Sequence, residues 1–173
     1  MTSTRNVEPL IEPGEQDDSD SGIPSTVAIA KHPLHPPLVT FPIAFLVGAF
    51  GSDLAFWLTD DLFWATASFW LLATGLASGI IAAITGLLDF LKIDRVRKRQ
   101  AGWFHAIGNV AVLIATVINF SLRWGNTTDS IIPTGLALSL VVSLLLGITG
   151  WYGGELVYRH KIAVIGQSDR QAP

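Results

Sequence analysis

The stretch Gly102–Leu122, GWFHAIGNVAVLIATVINFSL, limits the fold more than any other part of the chain. It is about as long as a helix that crosses a hydrocarbon core. Its polar side chains are not scattered. His105, Asn109, Thr116 and Asn119 recur at steps of four and three with Val112 filling the gap, which is one face of a helix. Unpaired polar groups are costly in lipid, so this face must turn toward other helices.

The rest of the chain can supply them. Half of the residues are apolar and only 14% are charged, outside the usual soluble range. Three further apolar runs read as spans, at about Leu38–Leu58, Phe63–Leu91 and Pro133–Tyr158. The second is long for one crossing and should tilt or project beyond the lipid. The expected fold is all-α, an integral membrane four-helix bundle over residues 31–165. An acidic, disordered tail is expected over 1–30, where six acids from Glu8 to Asp20 cluster, and a short tail over 166–173. Lys31-His32-Pro33-Leu34-His35-Pro36-Pro37 should be extended, with helix starting at Pro36 or Pro37.

Charge orients the bundle. Lys92, Arg95, Arg97, Lys98 and Arg99 fill the link between the second and third spans, and Lys31, Arg159 and Lys161 fall on the same side. Arg123 stands almost alone opposite. The positive-inside rule then puts both termini of this multi-pass protein in the cytoplasm. Trp57, Trp64, Trp103, Trp124 and Trp151 sit near span ends as interfacial anchors. Small-residue stripes at Gly75, Gly79, Ala82 and Gly86, and at Ser143, Gly147, Gly150 and Gly154, are expected to face neighbouring helices.

Placed by depth, the chemistry-bearing residues form two groups. At the basic face gather all four histidines, His32, His35, His105 and His160, with Asp89 and Glu155. Imidazoles on different helices at one depth can ligate haem iron or a divalent metal, and a carboxylate can orient them. His105 is the principal candidate ligand, with His35 or His32 opposite and the basic link facing haem propionates. Asp89 and Glu155 complete a candidate metal set. Toward the other face lie Asp53 and Asn119, with Arg123 one turn beyond. An intramembrane Asp implies a partner, here Asn119 or Arg123. Asp53 and Asp89 could mark the ends of a proton path, but only Thr116 and Ser143 lie between. The chain has no cysteine, which excludes disulfides, thiolate metal sites and covalent haem attachment. No nucleophile motif, phosphate loop or folded basic domain supports a soluble enzyme or a nucleic-acid binder.

HPLHPPLVTFPIAFLVGAFGSDL, ITGLLDFLKI, WFHAIGN and GWYGGELVYRH together resemble the bacterial membrane-protein family catalogued as domain of unknown function 2231. The resemblance implies a four-span membrane protein. It carries over His32, His35, Pro42, Asp53, Asp89, His105, Gly153, Gly154 and Glu155, with no assigned roles. Some relatives are joined to Rieske or c-type cytochrome modules, which implies redox traffic at the membrane. The expectations are therefore a haem b or metal protein passing electrons to a redox partner, or a non-catalytic scaffold or partner subunit with structural polar clusters. Either could form a homo-oligomer. A transporter is the third and weakest reading, since four spans without an inverted repeat do not suit one.

Overall fold

The HPLHPP segment starts as strand and becomes helix at His35, one residue ahead of the expected start at Pro36 or Pro37. In the computed structural model, which describes residues 22–164, α1 runs His35–Thr59 with prolines in its first turn, where no amide partner is required. Asp60, in the left-handed region at φ 54, ends α1. Asp61 caps α2, its carboxylate accepting from the Phe63 amide at 2.9 Å. Helix α2 spans Leu62–Lys92, 31 residues, which at about 1.5 Å per residue is longer than the hydrocarbon layer. The one-turn α3, Asp94–Arg97, links it to α4, Gln100–Leu122. A kinked segment at Ile131–Gly135, extended at Ile132, then leads into α5, Leu136–Tyr158.

Four of these elements are long and apolar enough to cross a membrane: α1, α2, α4, and α5 with its leading segment. They alternate in direction. Each packs on the next, and α5 closes the ring on α1. Leu46, Ala49, Leu72, Val112, Val142 and Leu146 form the central core. The outer surface is apolar too, with Trp70, Ile84, Ile114 and Leu144 all exposed. That inverts a soluble protein and suits lipid.

The stripe on α2 does bring helices together. A Cβ on Gly75 would lie 2.6 Å from Leu46 Cδ2, and one on Gly79 would lie 3.0 Å from Leu113 Cδ2. The stripe on α5 does not. Gly147 and Gly150 are exposed, with nothing near them. Ser139, Val142, Leu146, Thr149 and Leu156 face inward instead. Ser139 finds Asp53 and Asn119 inside the bundle and so sets the helix rotation, whereas the Thr149 hydroxyl bonds Leu146 O of its own helix. Close approach between α4 and α5 is made by Gly108, where a Cβ would lie 2.3 Å from Thr149 Cγ2.

Of the stretch read as an acidic tail, residues 1–21 lie outside the described residues, as do 165–173. Residues 22–30 pack on the basic end of the bundle. Ile23 donates its amide to Lys161 O at 2.9 Å and joins the cluster of Ile93, Val96, Ala101, Leu156 and Ile162. β1, Ala28–Ile29, then pairs antiparallel with β2, His32–Pro33. The turn between them puts Ala30 and Lys31 at φ 49 and 66, where glycine or asparagine is the usual occupant. Holding two such residues there costs about 1–2 kcal/mol each, so contacts elsewhere must hold the strap down.

The two stripes should respond oppositely to added bulk. Gly75→Leu is expected to lower stability by about 1–3 kcal/mol through overpacking, whereas Gly147→Leu and Gly150→Leu leave it unchanged, as thermal unfolding in detergent would measure.

Candidate functional site

Two polar layers lie inside the bundle. The deeper is built on Asp53, whose carboxylate is fully buried in α1. Arg123, just past the end of α4, is also fully buried and grips it end-on, Nη1 to Oδ1 at 2.6 Å and Nη2 to Oδ2 at 2.7 Å. Asn119, one turn earlier, accepts from Arg123 Nε at 3.0 Å and Nη2 at 2.9 Å. Ser68 of α2 accepts from Nη1 at 2.7 Å and donates to Asp53. Ser139 of α5 donates to Asp53 Oδ2 at 2.6 Å and accepts from Asn119 Nδ2 at 2.8 Å. Every N–H of the guanidinium therefore meets an oxygen. Among the described residues no buried side-chain nitrogen or oxygen lacks a partner. Of the two partners weighed for Asp53, Arg123 neutralises it and Asn119 holds Arg123. Residue order does not mark Ser68 or Ser139, whose hydroxyls complete the layer.

The second layer lies near the basic face. His35 opens α1, and its ring rests on Gly86 of α2, where a Cβ would come within 2.6 Å of Cε1. Its Nδ1 is 2.9 Å from Ala82 O and 3.2 Å from Thr85 Oγ1. The His105 ring rests on Gly153 of α5, with Nδ1 2.9 Å from Thr149 O. A carbonyl only accepts, so each Nδ1 carries a hydrogen, and in the neutral ring Nε2 holds the lone pair. The two ring centroids are 6.2 Å apart, with planes at 88°. Asn109 donates to His105 O at 2.7 Å and lies 3.4 Å from both ring nitrogens.

The remaining candidates do not join this pair. His32 is exposed on the strap, Nδ1 on Ala30 O at 2.9 Å. Glu155 stands 3.7 Å from Arg159. Asp89 is almost buried and fully engaged: Ser25 Oγ, the Thr26 amide and Thr26 Oγ1 each donate to it at 2.7 Å. It is the anchor of the strap, a role that demands donors from a segment 63 positions away. Among the described residues no three His, Asp or Glu side chains are placed to hold a metal.

Each layer has a measurable consequence. Asp53→Ala or Arg123→Ala alone should cost about 3–5 kcal/mol by stranding a buried charge. Asp53→Leu with Arg123→Met should lose less than either single change in the same unfolding assay. At the basic face, Ser25→Ala with Thr26→Val should speed amide hydrogen exchange over 23–34 and leave α4 unchanged, as mass spectrometry would read.

No curated protein and no solved structure matches the chain. The family described as "Predicted membrane protein (DUF2231)" matches residues 31–166, from the strap turn to just past α5. The four apolar helices around two buried polar layers are thus those of a member of the DUF2231 family of membrane proteins, to which this chain belongs.

Proposed function

We propose that His35 and His105 would hold one haem b, and that the protein would pass electrons between this haem and a redox partner at the basic, cytoplasmic face of a bacterial inner membrane. The supporting observation is the ring pair. Two imidazoles that held one group between them, each nitrogen about 2.0–2.1 Å from a metal, would have to lie side by side on neighbouring helices. The rings stand at 6.2 Å. Each Nδ1–H is held by a backbone carbonyl, the arrangement that fixes a metal-ligating tautomer and its orientation. With no third His, Asp or Glu among the described residues placed beside them, the two imidazoles would suit haem better than a bare divalent ion. When bound, the haem supplies one-electron chemistry. The chain's own residues orient the ligands and keep them within the bundle.

One observation favours a second reading, a scaffold without a cofactor. The same Nδ1 bonds staple α1 to α2 and α4 to α5, which accounts for both rings structurally. An absorption spectrum of detergent-purified protein from haem-supplied cells separates the readings. The haem reading expects a Soret band that disappears in His35→Ala and in His105→Ala but persists in His32→Ala. A colourless, metal-free preparation with native thermal stability overturns it. The scaffold reading then expects the same two substitutions to lower stability with no spectral change.

A further inference from the structure

We infer that the link between α2 and α4 is a docking surface for the headgroups of anionic phospholipids. Ile93 and Val96 bury one side of this link against the bundle, and Lys92, Asp94 and Lys98 are exposed on the other. Its bases are not equivalent. Arg97 turns inward: Nη1 donates to Phe90 O at 3.1 Å and to Leu91 O, and Nη2 pairs with Asp94. This satisfies carbonyls at the end of α2 and cancels the Asp94 charge. Lys92 and Lys98 are exposed, and among the described residues no acid lies within ion-pair distance of either.

Depth and an aromatic neighbour identify the partner. The apolar part of α2 ends at Lys92 and that of α4 starts after Gln100, so both ammonium groups sit where hydrocarbon gives way to headgroups. Trp103 is half exposed at the same level. Its Nε1 donates to Arg97 O at 3.0 Å, and its ring meets Phe90 edge-on at 4.9 Å. A fixed indole beside ammonium groups matches a glycerophospholipid: the ring covers the glycerol and upper acyl region, and the ammoniums meet the phosphodiester. The opposite face exposes Asp60, Asp61 and Asp129, while its one arginine, Arg123, is buried and neutralised by Asp53. Anionic lipid is therefore drawn to the α2–α4 link and repelled at the far end. A base held near a lipid surface strengthens such an interaction about fivefold.

The test is native mass spectrometry of protein released from nanodiscs of equimolar phosphatidylglycerol and phosphatidylcholine. The wild type should retain phosphatidylglycerol in excess. Lys92→Gln with Lys98→Gln should reduce that excess by more than tenfold, about fivefold for each base, with an unchanged unfolding temperature. Lys92→Arg with Lys98→Arg should preserve it. Replacing chloride by inorganic phosphate at equal ionic strength should leave it unaltered. Equal retention of the two lipids, an undiminished excess in the glutamine variant, or displacement by inorganic phosphate would each overturn the proposal.

Discussion

A carboxylate and a guanidinium sealed in an apolar bundle leave the helices little choice. Asp53 and Arg123 are both fully buried, and neither has water to fall back on. Isolated, either charge would be prohibitively expensive in this medium. Together they need oxygens and hydroxyls at fixed points, and these come from α2 and α5 as well as α4. The pair therefore sets the rotation of four helices that apolar packing alone would set loosely, because lipid tails and leucine side chains are chemically alike. The inward turn of α5 is its clearest effect. Ser139 must reach the carboxylate, and so Gly147 and Gly150 are left facing outward.

The basic end is organised differently. There, a short strap brings three donors to one carboxylate, Asp89, at the level where α2 leaves the apolar layer. Asp89 lies one turn beyond Gly86, on which the His35 ring rests. The strap runs directly into α1 at His35. Anchor, glycine and imidazole thus form one continuous piece of architecture. Hydrogen bonds to an ionised acceptor are the stronger kind, and these hold down a turn whose Ala30 and Lys31 occupy unfavourable backbone conformations.

Much of this was legible from residue order alone. Long apolar runs gave the spans, because a bilayer fixes helix length. The stripe from His105 to Asn119 gave the inward face of α4, because a period of three and four is a helix face. Depth reasoning brought His35 to the level of His105 and Asp53 toward Arg123. The rest was hidden for identifiable reasons. Serine hydroxyls in helices usually bond their own backbone, as Ser78 does with Thr74 O, so nothing marks Ser68 or Ser139 as different. Helix α5 is apolar all round with glycines interspersed, and periodicity cannot choose its face. The strap has no period at all: Ser25 and Thr26 find Asp89 only through the folded chain, and a composition poor in apolar residues reads as tail. Asp89 itself looked like a ligand because a buried acid near imidazoles invites that reading until its donors are known.

The two-residue turn at Asp60–Asp61 has a bearing on how the molecule is made. It joins α1 and α2 so tightly that they can enter the bilayer only as one unit, and that unit carries the acid and Ser68. The base, Asn119 and Ser139 belong to α4 and α5, which leave the ribosome later. Until then the first hairpin holds a charge with no counterpart in hydrocarbon. The ionic lock that orients the finished bundle therefore closes as the last act of membrane insertion.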